Sequence, residues 1–187
     1  MKTKSLRERH SAWRDIAVTQ LSNANNTILG FSTGFIIFCL DEFDTIGFDL
    51  NISSEFEKSK LFFGFCLFSL LLSILYGISV LISRLYDFRI TRHINLTRIR
   101  SKKELDYDEF DKTNMCNRIN ALFQIIFKEI PFISRVKAQV LELKDEGFNK
   151  LRKLSFVLGE ATWVWLKFQV IYFLLGCLFF VLYLFLK

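Results

Sequence analysis

The side chains whose type and spacing come closest to a metal site are four carboxylates between positions 106 and 111. They are Asp106, Asp108, Glu109 and Asp111. Carboxylate oxygens are the ligands that hard cations such as Ca²⁺ prefer. The same run of acids is also typical of a solvated linker between two helices, which needs no ligand. We therefore predict a linker, and no metal site, at 106–111.

Cysteine and histidine form no metal-binding or redox pattern. The cysteines are Cys39, Cys66, Cys116 and Cys177, and the histidines are His10 and His93. All the cysteines except Cys116 lie in apolar runs, where cysteine packs as a small hydrophobic residue. The chain contains no Cys-x-x-Cys pair, no Gly-rich phosphate loop and no His-Glu-x-x-His zinc motif. The sequence predicts a protein that is not an enzyme and that carries no cofactor.

Small and polar side chains recur at helical spacing inside the apolar runs. Ser22, Asn26, Gly30 and Gly34 recur every four residues, as do Ser69, Ser73 and Gly77, while Thr162, Gln169, Gly176 and Tyr183 recur every seven. Helices in lipid meet at small residues, because these let the backbones approach, and at polar residues, which pair across the contact. We therefore predict helix contacts at Gly30, Gly34, Ser69, Ser73, Gly77 and Gly176.

Two interpretations of these faces remain open. They hold the helices of one subunit together, or one of them, above all the face from Asn26 to Gly34, meets a neighbouring subunit or a pore. Asn26 and Gln169 are our candidates for a pore-facing or subunit-facing position. Neither side chain ionises, which argues against proton coupling at membrane depth.

A basic stretch follows the second apolar run. Arg84, Arg89 and Arg92 are candidates for binding the headgroups of anionic lipids. A solvated basic helix is the alternative. Direct binding of nucleic acid is not expected, because no aromatic-interleaved or fold-specific signature accompanies the basic residues.

The elements that must position these residues are long helices in a membrane. The chain is 51% hydrophobic, with 22 Phe and 1 Pro, yet 24% of it is charged. The two classes are segregated into blocks, and the apolar blocks are Ile28–Leu40, Leu61–Ser83 and Trp163–Leu186. About 20 apolar residues cross a bilayer core. We predict an all-α integral membrane protein with three transmembrane helices and a small cytoplasmic helical domain.

The first of these crossings is the shortest. Ile28–Leu40 alone spans about 20 Å as a helix, and an extension through Ser22–Thr27 adds polar residues. Such residues are tolerated at membrane depth only against protein or water. A re-entrant first segment is the alternative, although it conflicts with the charge pattern.

The charge pattern predicts the orientation. Residues 1–25 and 84–103 are rich in Lys and Arg, whereas 41–60 are rich in Asp and Glu. Basic loops stay on the cytoplasmic side. We therefore expect a cytoplasmic N-terminus and a C-terminus outside the inner membrane.

These features divide the chain into four segments. A cytoplasmic amphipathic helix (1–25) precedes a transmembrane hairpin (26–83) with an acidic outer loop (41–60). A basic cytoplasmic helical domain (84–160) and a third transmembrane helix (161–187) follow. Within the basic domain, the apolar pattern over 119–140, interrupted by Pro131, predicts one kinked amphipathic helix.

This layout resembles small bacterial membrane proteins of phage-defence systems. Residues 1–100 share with the SLATT class of two-span effectors a basic N-terminal helix, two close spans and a short outer loop, and the layout is similar to the membrane subunit of the Kiwa system. A third span at 162–186 departs from the two-span plan. The resemblance implies an oligomeric protein that permeabilises the inner membrane or recruits a cytoplasmic partner on infection.

The leading hypothesis is a homo-oligomeric bacterial inner-membrane protein of a phage-defence or stress system, which anchors or senses for a cytoplasmic partner. Its expected partners are membrane lipids, other copies of the chain and a soluble protein. One alternative is a pore-forming or channel effector that depolarises the membrane. Another is an accessory subunit of a larger membrane complex.

Overall fold

The structure, a computed structural model, describes residues 2–46, 58–101, 113–142 and 145–186, with side chains from residue 16 onward except those of 42–46 and 58. Within these ranges the chain forms α-helices and no β-strand, which confirms the predicted all-α fold. The helices are α1 (Lys2–Ile46), α2 (Lys58–Ser101), α3 (Met115–Phe127), α4 (Arg135–Val140) and α5 (Glu146–Leu186).

Two of the helices are long and apolar enough to cross a membrane. They are α2, over Ser59–Ser101, and α5, over Glu146–Leu186. Their apolar parts are the runs Leu61–Ser83 and Trp163–Leu186. Both helices are compatible with a membrane location, whereas a third crossing by α1 remains a prediction.

The chain divides into two compact units. The first combines Met1–Ile78 with Leu166–Lys187, and the second is Ser79–Trp165. Both α2 and α5 therefore contribute residues to each unit.

The first unit is a bundle of α1 with parts of α2 and α5. Phe35 of α1 packs against Phe180 of α5, with ring centroids 4.9 Å apart. Ten residues before Phe35 on α1 and eleven residues before Phe180 on α5, the side chain of Gln169 reaches the backbone of Asn25. These two contacts show that α1 and α5 run in the same direction. The opposite order holds for α2, because Phe63 lies beside Tyr183 whereas Gly77 lies beside Gln169.

Each helix of the first unit buries one stripe of residues. On α1 the stripe contains Leu21, Asn25, Ser32 and Cys39; on α2 it contains Phe63, Cys66, Leu70, Ser73 and Gly77; on α5 it contains Gln169, Gly176 and Tyr183. Spacings that average three and a half residues keep such a stripe on one side of a gently supercoiled helix. The seven-residue repeat of α5, including Thr162 in the second unit, is buried throughout.

The second unit packs the charged part of α2 against α3, α4 and the start of α5. Its core combines Ile90, Ile94, Ala121, Ile125, Ile133, Ala138, Leu141, Phe148, Leu151, Leu154, Val157 and Leu158. On α3 the two buried residues, Ala121 and Ile125, are four apart, so one stripe of this amphipathic helix faces the core.

The predicted kinked helix over 119–140 is wrong, because two separate helices occupy this region. Helix α3 ends at Phe127, and Lys128 is already extended, with φ −121° and ψ 142°. Pro131 explains the break, since proline lacks a backbone N–H and disfavours helical geometry at the preceding residue. Helix α4 then begins after Ser134, whose hydroxyl accepts the N–H of Lys137.

Two predicted loops fall largely or wholly outside the described residues. They are the acidic outer loop 41–60, of which 47–57 are not described, and the linker Asp106–Asp111. The predicted cytoplasmic helix 1–25 is continuous with the first apolar run, because α1 extends from Lys2 to Ile46 without interruption.

Candidate functional site

The centre of the first unit holds a cluster of neutral polar side chains, which we call the polar cluster. It consists of Asn25 and Ser32 on α1, Ser73 on α2 and Gln169 on α5, all of them 0% exposed. The three helices bring these residues together because each belongs to the buried stripe of its helix. Buried polar residues in a bundle are expensive unless they are hydrogen-bonded.

Hydrogen bonds link the polar cluster across all three helices. The Ser73 hydroxyl donates to the backbone carbonyl of Gln169 at 3.0 Å. Because Ser73 has only one hydroxyl hydrogen, the Ser32 hydroxyl must donate in the 3.2 Å contact between Ser32 Oγ and Ser73 Oγ. Gln169 Nε2 donates to the backbone carbonyl of Asn25 at 3.4 Å.

Three amide atoms of the polar cluster remain without a partner among the described residues. They are Nδ2 and Oδ1 of Asn25 and Oε1 of Gln169. An unsatisfied buried polar group costs roughly 1–3 kcal/mol. The cluster contains only hydroxyl and amide groups, so it can hold helices together or bind water but cannot act as an acid or base near neutral pH.

Glycines on α2 and α5 allow the close approach around the polar cluster. A Cβ at Gly77 would lie 2.6 Å from Gln169 Nε2 and 2.6 Å from Leu29 Cδ2. A Cβ at Gly176 would lie 2.9 Å from the side chain of Leu70. Of the residues predicted to form helix contacts, Ser69, Ser73, Gly77 and Gly176 are therefore buried between helices of one chain.

The predicted contact residues of α1 lie on the other side of that helix. Asn26, Gly30 and Gly34 are exposed, and a Cβ at either glycine would meet no atom within 4 Å. Together with Phe31, Phe35 and Phe173, the two glycines line a groove of about 280 Å³. We call this surface the glycine groove. The predicted set thus divides into residues inside the bundle and residues on its outer surface, and Gln169, unlike Asn26, belongs to the inside.

The three arginines that the sequence suggests for headgroup binding do not all lie at one site. Arg89 and Arg92 line a cavity in the second unit together with His93, Leu96 and Phe132. Arg84 does not belong to that lining, and its Nη1 atom is buried without a partner among the described residues.

Carboxylates that the sequence did not single out are fixed by long-range contacts in the second unit. Glu160 accepts hydrogen bonds from the backbone and hydroxyl of Thr113 and lies 3.4 Å from the Arg118 guanidinium. Asp87 accepts the hydroxyl of Ser155 at 2.6 Å. These partners are 42 to 68 residues apart in the chain, so no local sequence signal connects them.

Residues 30–34 read Gly-Phe-Ser-Thr-Gly, which matches the Gly-x-Ser-x-Gly pattern of serine hydrolases. In those enzymes the serine lies on a sharp turn between a strand and a helix. Here Ser32 lies in the middle of α1, is buried, and is hydrogen-bonded to Ser73. The pattern therefore occurs without the geometry that exposes a nucleophile.

No model of a known protein family, no curated protein and no solved structure matches this chain. No function is therefore carried over from a relative. The features of the chain that bear on its function are the polar cluster, the glycine groove and the basic residues of the second unit.

Proposed function

We propose that this chain is a homo-oligomeric protein of a bacterial inner membrane. In this proposal three helices cross the bilayer, with the N-terminus in the cytoplasm and the C-terminus outside. Copies associate through the glycine groove. The basic helical region between the second and third crossings anchors a soluble partner or senses for it.

The packing of α1 supports a third crossing. From Asn25 to Cys39 this helix lies alongside the apolar parts of α2 and α5, since Asn25 contacts Gln169 and Cys39 shares a core with Phe63 and Tyr183. In the proposed topology, the part of α1 that lies alongside the other two crossings would lie at the same depth of the bilayer as they do. Burial of Asn25 also removes one polar side chain of the Ser22–Thr27 stretch from lipid.

The glycine groove is the observation that carries self-association. A helix surface that only faces lipid gains nothing from glycine, which costs about 1 kcal/mol relative to alanine within a helix. Two glycines four apart give a flat surface on which a second helix can approach closely. Phe31 and Phe173 line the groove together with the two glycines. Asn26 is exposed on α1 four residues before Gly30, where it can pair with a polar group of the partner copy.

Replacing both glycines by leucine tests the groove. The Gly30→Leu/Gly34→Leu variant should keep the helical content of the wild type, since both positions are open within one chain. Its mass in mild detergent or lipid nanodiscs should fall from a multiple of 22.1 kDa towards the single chain. Native mass spectrometry measures this directly.

Gly64→Leu is the matched control. Gly64 lies on α2, is exposed, and would also meet no atom within 4 Å with a Cβ. This variant makes the same change of residue type without touching the groove, and it should assemble like the wild type. A double variant with the wild-type mass, or a wild type that is a single chain, would refute the proposal.

The cytoplasmic role has two supports. Val136 and Val140 of α4 are 73% and 77% exposed and four residues apart, which leaves an apolar strip open to a soluble protein. The resemblance of the layout to phage-defence proteins suggests that the partner is recruited on infection. This role requires a soluble protein to copurify with the tagged chain at fixed stoichiometry. Purification of the tagged chain from infected and uninfected host cells tests it.

A further inference from the structure

The second unit contains a basic cavity just beyond the apolar part of α2. The apolar run ends at Ser83, and Arg89 follows six residues later, about 9 Å farther along the helix. The headgroup layer occupies roughly 5–8 Å on each side of the hydrocarbon core. If Leu61–Ser83 spans that core, Arg89 reaches the headgroup layer, because long basic side chains extend back towards it.

Two adjoining cavities share Arg89 and Phe132 in their walls, and we call them together the basic pocket. The smaller, of about 230 Å³, adds Arg92 and His93, and the larger, of about 410 Å³, adds Tyr86, Phe127, Lys128 and Glu129. The loop that holds Phe132 is fixed on α2, because the N–H of Ile133 donates to His93 Nε2 at 3.1 Å.

The charges of the basic pocket favour an anion. Arg89, Arg92 and Lys128 face one carboxylate, that of Glu129. None of the three cations forms an ion pair with a carboxylate in the part of the chain that the structure describes. The guanidinium of Arg89 lies 5.0 Å from the ring centroid of Phe132, and this cation–π contact holds it at the wall of the pocket.

The apolar surface beside the basic pocket favours a lipid over a soluble anion. Phe127 lines the larger cavity while remaining 74% exposed, and its ring stacks on that of Phe123 at 5.6 Å. Exposed aromatic rings beside cations are typical of surfaces that enter the headgroup and acyl boundary of a membrane.

We propose that the basic pocket binds the phosphate of an anionic phospholipid, with Arg89, Arg92 and Lys128 on the headgroup and Phe123 and Phe127 against the acyl chains. This site is independent of the glycine groove and goes beyond the proposed self-association. Its effect is to fix the second unit on the cytoplasmic leaflet, which is the anionic one.

Lipid titration of the intact chain, followed by native mass spectrometry in detergent, tests this site. The probes are phosphatidylglycerol and phosphatidylcholine with the same acyl chains. The wild type should bind phosphatidylglycerol more tightly. In the Arg89→Gln/Arg92→Gln variant that affinity should fall about 10-fold or more at low salt, while phosphatidylcholine binding stays the same.

The matched control is Arg135→Gln/Lys153→Gln. It removes the same charge from two exposed positions of the second unit that lie outside the basic pocket. It should bind phosphatidylglycerol like the wild type. If the Arg89→Gln/Arg92→Gln variant loses helicity, the Lys128→Gln variant replaces it in the test. Its affinity for phosphatidylglycerol should fall roughly 3-fold or more.

Three results would overturn the lipid site. The first is equal affinity of the wild type for both lipids. The second is an equal loss of phosphatidylglycerol affinity in the Arg89→Gln/Arg92→Gln variant and in the Arg135→Gln/Lys153→Gln control. The third is an unchanged phosphatidylglycerol affinity of the folded Arg89→Gln/Arg92→Gln variant. If that variant also loses an acidic soluble protein that copurifies with the wild type, the pocket is a protein-binding surface instead.

Discussion

Asn25 and Gln169 place primary amides at the centre of a bundle that is otherwise built from apolar and small residues. Their side chains use one of four hydrogen-bonding groups, the Nε2 of Gln169, within the described chain. The free energy lost in burying the others must be offset by packing around Gly77 and Gly176, where helices approach closely. The polarity of Gln169 marks it as a candidate from the sequence alone. Asn25 and Asn26 are adjacent, however, and only packing decides which of the two turns inward.

Asp145 is the residue through which we expect a change of pH to alter the stability of the fold. Its Oδ1 accepts the N–H of Gly147 at 2.8 Å and of Phe148 at 3.3 Å, which caps α5. Desolvation raises the pKa of this carboxyl, but these backbone hydrogen bonds and Lys137 outweigh that effect, so its pKa lies below the ordinary 3.8. Since the folded-state pKa is the lower one, the stabilisation is complete above pH 3.8 and is lost as the pH falls through the folded value.

Two substitutions at Asp145 separate its charge from its capping role. Asp145→Ala should lower the free energy of unfolding by about 1 kcal/mol near neutral pH. Asp145→Asn should retain most of the capping, because Asn is an equally good N-cap, but should flatten the acid side of the stability profile. Thermal unfolding of the full chain in detergent between pH 6 and pH 3 checks both. An acid profile of the Asn variant identical to that of the wild type would contradict this role.

At the scale of the helices, the close approach at Gly77 distinguishes the inside of the bundle from its surface. Gly77→Leu should destabilise the chain by about 1–3 kcal/mol, because the side chain must displace both Leu29 and Gln169. Gly64→Leu should cost less than about 0.5 kcal/mol, since that position is open. Unfolding of both variants in the same detergent measures the difference, and equal stability would show that the helices do not approach as described.

Helices α2 and α5, which are long and apolar enough to cross a membrane, were predictable because their apolar runs are long and almost free of charge. The buried stripe of α1 was not, since this helix offers two plausible faces. Gly30 and Gly34 suggested a contact at four-residue spacing, whereas the chain buries Asn25, Ser32 and Cys39 at seven-residue spacing. Local pattern identifies such faces, but the partner helices decide between them.

The break between α3 and α4 could not be predicted from the sequence for a different reason. Pro131 predicts an interruption of the helix, but a kink and a complete break have the same local cause. The choice depends on distant contacts that stabilise the extended segment, such as the bond from Ile133 to His93, which is 40 residues away. The pairing of Glu160 with Thr113 and Arg118 depends on the same kind of contact.

At the scale of the whole molecule, one chain leaves two surfaces open. The glycine groove belongs to the first unit and suits a second copy within the membrane. The basic pocket belongs to the second unit and suits the leaflet surface. In the proposed oligomer, several copies of the exposed surface formed by Val136 and Val140 of α4 would be present in one assembly, which would raise the effective concentration for a soluble partner.

Photo-crosslinking in intact cells tests the central claim, self-association through the glycine groove, most directly. Phe31→p-benzoylphenylalanine places the probe in the groove, and Phe68→p-benzoylphenylalanine is the control, because Phe68 is similarly exposed on α2. We predict that ultraviolet light gives a covalent dimer of the chain from the Phe31 variant and little from the Phe68 variant. No dimer from the Phe31 variant at verified membrane expression, or equal dimer from both variants, would contradict the account.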